Sequence, residues 1–174
     1  MTQSTPVDYT IQPALPGHTK SIETVLDEAF GLGRQTKTSY RLREGSQAVD
    51  GLSFIADLDG RLIGSIQFWP IIIGGETSAL LLGPLAILPV YQGFGVGLRL
   101  IEDGVVAARK LGHKLVLLVG DEPYYTKAGF KPFNSHSVSM PGPYDPKRLL
   151  FLELQANAAD GVSGLVLAPH RAKR

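Results

Sequence analysis

Residues 82 to 130 constrain the fold more than any other stretch, because they read as strand, glycine-rich turn, helix and strand in one run. An apolar segment ending at Ile87 leads into Gln92-Gly93-Phe94-Gly95-Val96-Gly97. From Gly95 to Leu111, Leu98, Ile101, Val105 and Ala108 recur at helical spacing, with Arg99, Glu102, Asp103 and Lys110 between them. Arg109 and Lys110 suit the helix C-terminus, and Gly112 suits the residue just beyond it. Lys114 to Val119 is then a buried strand. Because a helix joins it to the strand before the turn, the two run parallel.

A strand that feeds a glycine-rich turn at a helix N-terminus gathers unpaired backbone N–H groups, and the helix dipole adds partial positive charge. Glycine lets an anion come close to the backbone. The turn therefore predicts a phosphorylated ligand. It is not a P-loop, which needs Gly-Lys-Ser or Gly-Lys-Thr at this point. Nor is it the dinucleotide fingerprint Gly-x-Gly-x-x-Gly, since Leu98 and Leu100 occupy the third glycine position in the two available frames. What remains is Gln-x-x-Gly-x-Gly.

That pattern, with Leu85-Ala86-Ile87-x-Pro89 before it and Tyr124-Tyr125-x-x-x-Gly129-Phe130 after it, resembles the GCN5-related N-acetyltransferases. The resemblance covers residues 82 to 130. It implies an α/β fold with a mixed, mostly antiparallel sheet of about six to seven strands, flanked by helices, whose central parallel pair splays apart. It implies acetyl-CoA as co-substrate, with the backbone from Gln92 to Gly97 (Gly93, Phe94, Gly95 and Val96 included) on the pyrophosphate. It further implies Leu85, Ala86 and Ile87 beside the pantetheine arm, with Ala86 or Ile87 offering an amide to the thioester carbonyl. Tyr125 is the implied proton donor to the leaving thiolate, and Tyr124 packs against the cofactor. Many members carry an Asn upstream of this tyrosine; here the chain reads Val119-Gly120-Asp121-Glu122-Pro123, similar to a bacterial branch of N-acetyltransferases.

The rest of the chain fits one domain over residues 1 to 174. Val7 to Gln12 predicts a strand. His18 to Phe30 predicts a helix buried through Ile22, Val25, Leu26 and Ala29 and stopped by Gly31. Asp59-Gly60 predicts a hairpin between Leu52 to Leu58 and Leu62 to Trp69, with Leu52, Phe54, Ala56, Leu62, Ile66 and Phe68 facing the core. Pro70 should end or bend the second of these strands. Gly83-Pro84 lies inside the strand Ser78 to Ile87, where proline removes a ladder donor and so predicts a bulge. Glu122 to Lys127 suits a short helix. His136 to Met140 and Leu149 to Leu154 read as a closing hairpin, with a short strand at Leu165 to Leu167.

Other chemistries lack their residues. The chain has no cysteine, no Gly-x-Ser-x-Gly and no metal-ligand spacing, so no metal is expected. With 44% hydrophobic and 19% charged residues and a net charge of +1, nothing draws it to membrane or nucleic acid. The expected setting is cytoplasmic. The expected partner is a small-molecule or peptide amine, and a homodimer is left open. Asp121 reads first as a helix cap and second as a ligand for the amine. Glu76 and His136 are weak candidates for a base; His18, His113 and His170 read as structural or surface residues. The basic segment Arg34 to Arg43 reads first as a solvated face and second as a contact for an anionic substrate or a cofactor phosphate. Two rivals stay open: an acyltransferase of the same fold using a longer acyl-CoA or an acyl carrier protein, and a non-catalytic acyl-CoA-binding module.

Overall fold

The computed structural model describes residues 6–133 and 136–172. The first strand, β1 (Thr10–Pro13), lies later in the chain than its apolar pattern suggests and pairs antiparallel with β2 (Phe54–Leu58). Between them lie helix α1 (Thr19–Phe30), a 3₁₀ turn (Leu32–Thr36) and the single-turn α2 (Thr38–Arg41). Helix α1 buries Ile22, Val25 and Leu26, and ends at Gly31 with φ 80°. Asp59 and Gly60, at φ 52° and 84°, make the two-residue turn from β2 into β3 (Arg61–Ile73). Two positive φ values in sequence give the backbone twist a tight hairpin needs.

β3 runs straight through Pro70, contrary to the expected break. Its pairing explains why. β2 leaves β3 after Ile66, and a later strand joins only at Ile72, so Pro70 keeps a full partner on one side alone. A missing N–H is tolerated on such an edge. Strand β4 (Thr77–Ile87) returns antiparallel, with Ile66 opposite Leu85 but Phe68 opposite Leu82. β4 thus carries one extra residue at Gly83-Pro84, the expected bulge, where the peptide bond is cis.

After a 3₁₀ turn (Pro89–Tyr91), helix α3 (Val96–Lys110) crosses to β5 (Leu115–Val119). The helix closes on a Schellman cap, in which Gly112 N–H donates to Arg109 O and His113 N–H to Ala108 O. Its buried stripe is Val96, Leu100, Ile101, Val105 and Ala108; Leu100 replaces the expected Leu98, which turns toward the cleft described below. β4 and β5 are parallel and pair only at Leu80–Val116 and Leu81–Leu117. From Leu82 onward β4 has no partner on that side. The strands splay, as the family resemblance implies.

The chain continues through α4 (Glu122–Tyr125), β6 (Lys131–Pro132), β7 (Val138–Ser139), β8 (Leu149–Glu153), β9 (Gly164–Leu167) and α5 (Pro169–Ala172). The expected closing hairpin does not form. β8 pairs antiparallel with β5 and β6, while β7 pairs parallel with β9, which in turn lies on β3. Nine strands occur among the described residues, seven along the path β1-β2-β3-β4-β5-β8-β6. The main path has the expected seven strands; β7, inside the expected strand His136 to Met140, and β9 lie off it.

Helices, loops and short strands cover both faces of the central strands. Leu80 and Leu82 pack into one core cluster with α1 and α3; Ala79 and Leu81 pack into a second with Leu42, Met140 and Val166. A strand buried on both faces loses its alternation. In the first hairpin the expected core residues Leu52, Ala56, Ile66 and Phe68 are buried, Phe54 and Leu62 only partly so, and Ile55 and Ile63 are fully buried as well.

Candidate active site

The turn after β4 is built to leave amides free. Gln92 reaches back from it, donating from Nε2 to Ile87 O at 3.2 Å, and so ties the turn to the strand end. Gly95 caps α3 at φ 81°, a left-handed conformation suited to glycine. The N–H groups of Gly93, Phe94 and Gly95 have no partner among the described residues. Those of the first helical turn have none by geometry. A Cβ on Gly97 would run into the Tyr124 hydroxyl, so glycine lets the tyrosine close over the turn. The fit is that of an anion cradle.

A cleft of about 660 Å³ opens from this turn into the splay between β4 and β5. All the residues expected to hold cofactor line it except Phe94, whose ring points to solvent. Leu88 N–H donates to Ile63 O across the sheet. Amides alternate in direction along a strand. The Ile87 N–H therefore turns to the open side and the Ala86 N–H turns to β3, so of these two amides the one facing away from β3 is that of Ile87.

Tyr125 stands on the opposite wall. Gly129 at φ 90° turns the chain so that Phe130, itself buried, sets its ring edge against Tyr125 at 5.9 Å between centroids. Tyr124 packs on the other side at 5.0 Å. A Cβ on Gly120 would strike the Tyr125 ring. The Tyr125 hydroxyl makes no hydrogen bond among the described residues. Burial pushes its pKa well above the ordinary phenol value, the Tyr124 and Asp121 side chains adding to the rise and Arg148 opposing it. Burial raises Tyr124 as well.

Several candidates fall elsewhere. Asp121 is the N-cap residue of α4, but its side chain does not cap; it pairs with Arg148 Nη2 at 3.2 Å and is 77% exposed. Glu76 is exposed in the β3–β4 turn, at the end of β4 remote from the splay, and His136 is exposed. His18 Nδ1 accepts from Leu15 N–H at a helix start. His113 follows α3 and is partly buried, which lowers its pKa; His170 lies against Gly45. Among the described residues the cleft is lined by one carboxylate, Asp121, and by no histidine. No group of three His, Cys, Asp or Glu that could hold a metal occurs among them.

The segment Arg34 to Arg43 is the main surprise, since a solvated face is the simpler expectation. Arg34 is 5% exposed and donates to Asp27 at 3.0 Å, to the Tyr40 hydroxyl at 2.6 Å and to Glu23. Thr38 donates to Pro143 O and Arg41 to Pro141 O. The segment is thus clamped to α1 on one side and to a proline-rich loop on the other. It presents Arg34, Lys37, Tyr40 and Arg43 to the cleft. Arg34 is anchored by partners 6, 7 and 11 residues away, and Thr38 and Arg41 by a loop 105 and 100 residues on, contacts that the polar pattern of the segment does not show.

A turn of free amides, a splayed parallel pair and a half-buried tyrosine in one cleft define an acyl-CoA-dependent transferase scaffold. The Acetyltransferase (GNAT) domain model matches residues 50–132. The uncharacterized N-acetyltransferase YjhQ of Escherichia coli (strain K12) is 36% identical over 126 residues, 71% of this chain and 69% of that protein. The crystal structure of the GNAT family N-acetyltransferase YhbS from Escherichia coli in complex with CoA aligns at TM-score 0.81 and 25% identity, covering 100% of this chain and 97% of that one. A GNAT family acetyltransferase from Brucella melitensis in complex with acetyl-CoA aligns at TM-score 0.62 and 30% identity, over 88% and 99% of the two chains. The chain belongs to the GNAT family of N-acetyltransferases. No helix among the described residues is long and apolar enough to cross a membrane.

Proposed function

We propose that this protein transfers the acetyl group of acetyl-CoA directly to an amine of an acceptor bound in the same cleft. One observation carries the reading. The free amides from Gly93 to Gly95 and the partly buried Tyr125 lie at two points of a single cleft that the splay of β4 from β5 opens. The CoA and acetyl-CoA complexes of the two structural neighbours support the choice of ligand.

When bound, the thioester supplies an activated acyl carbon. The turn holds phosphate oxygens through backbone amides, with Tyr124 closing over Gly97. The Ile87 amide donates toward the carbonyl oxygen, on which negative charge grows as the amine attacks. Tyr125 holds a proton for the sulfur that leaves. A phenol pushed above its ordinary value stays protonated throughout the neutral range. The same desolvation raises the basicity of a thiolate beside it, so donor and acceptor are shifted together.

Calorimetric titration with acetyl-CoA, desulfo-CoA and NADH tests the reading. Micromolar binding of both CoA species and none of NADH is expected. Absence of CoA binding would overturn it.

A further inference from the structure

Two arginines nine residues apart face the cleft, Arg34 buried and Arg43 partly so, and the fold treats them in opposite ways. Arg34 is neutralised by Glu23 and Asp27. Arg43 has no carboxylate within ion-pair distance among the described residues. Its Nε is buried without a hydrogen-bond partner, and so is the indole N–H of Trp69 beside it. The guanidinium lies 4.3 Å from the Tyr40 ring centroid and 5.9 Å from that of Trp69. Burial lowers its pKa to about 10, Tyr40 offsetting part of the fall and Arg34 adding to it, so it remains a cation at neutral pH. A buried charge without a counter-charge is costly unless a ligand completes it.

The position indicates which ligand. Arg43 lines the cleft with Nη2 3.5 Å from where a Cβ of Gly83 would stand, at the bulge of β4. At the usual strand rise, Gly83 is roughly 13 Å back from Ile87, and the phosphate turn lies further on. A phosphate held by that turn does not reach Arg43. A flat guanidinium matches a carboxylate through two parallel N–H···O bonds. We propose that Arg43, held between Tyr40 and Trp69, binds a carboxylate of the acceptor, so that the acetylated amine belongs to an amino acid or another amino carboxylate. The inference rests on the acetyl-transfer reading above.

The test uses the full chain saturated with CoA, so that the phosphate turn is already filled. Acetate, acetamide and inorganic phosphate are titrated while the emission of Trp69, the single tryptophan, is followed. Acetate should give a saturable change that acetamide does not. Arg43→Met should weaken the acetate response at least tenfold, and Arg43→Lys, which keeps charge without the fork, should weaken it less. Calorimetry should show CoA binding unchanged in both variants. No acetate response, an equal response to acetamide, a stronger one to phosphate, or survival of the response in both variants would each overturn the proposal. Loss of CoA affinity in the variants would overturn it too, by assigning Arg43 to the cofactor. Failure of the wild type to bind CoA would strike the acetyl-transfer reading itself.

Discussion

The two ends of the cleft bind by different means. At one end, the turn from Gly93 to Gly97 offers backbone amides from five consecutive residues. At the other, Arg43, Tyr40, Trp69 and Gly83 are gathered from three separate segments. An amide cradle depends on backbone conformation, which glycines secure locally. A side-chain site depends on everything that packs behind it. The first suits a ligand common to a whole family, and the second suits whatever distinguishes one member from another.

The sharpest way to break this division is to alter the chemistry that links the two ends. Tyr125→Phe should lower kcat by about 10²–10⁴-fold, the range typical of removing a general acid, with CoA binding intact. Steady-state kinetics beside calorimetry reads both. Next in size, Gly97→Val should cost about 100-fold in CoA affinity, about 2.7 kcal/mol, because its side chain meets Tyr124 and blocks the cradle. A third comparison sets the two arginines against each other in thermal denaturation of the free protein. Arg34→Met strands two carboxylates and should destabilise by about 2 kcal/mol, less than a fully buried pair because Glu23 and Asp27 are half exposed. Arg43→Met removes an uncompensated charge and should leave stability unchanged or raise it by about 1 kcal/mol.

The smallest expected effect concerns pH. Because the folded-state pKa of Tyr125 is raised, the neutral phenol is favoured by the fold. Its contribution to stability is full below the ordinary phenol value near 10 and is lost as pH climbs above it. Tyr125 should accordingly impose no loss of turnover across the neutral range and a loss only in strong alkali. A phenolate absorbance titration, wild type minus Tyr125→Phe, checks the displaced step.

The contrast between the two ends also marks how far a sequence can be read. The turn, helix α3 with its Gly112 cap, the bulge at Gly83-Pro84 and the Asp59-Gly60 hairpin each rest on dihedral demands met by neighbouring residues, and each was legible. So was the wall around Tyr125, since Gly129 and Phe130 follow it closely. The arginine end was not. Burial of Arg34 needs Glu23 and Asp27 one helix earlier, and the stacking of Arg43 needs Trp69 from β3. β7 was paired with the wrong strand because a two-residue strand has no periodicity from which register can be inferred. Strands covered on both faces concealed which of Phe54 and Ile55 turns inward. In each case the deciding partner lay outside the element being read.

The clamp on α2 has a consequence for how such enzymes diverge. Thr38 and Arg41 are tied to the carbonyls of Pro143 and Pro141, which belong to a surface loop remote in sequence from the cofactor turn. A replacement or insertion in that loop moves the platform carrying Tyr40 and Arg43 while every residue of the amide cradle stays in place. Changes in a segment that lines neither end of the cleft can therefore reshape the arginine end while the amide turn stays as it is.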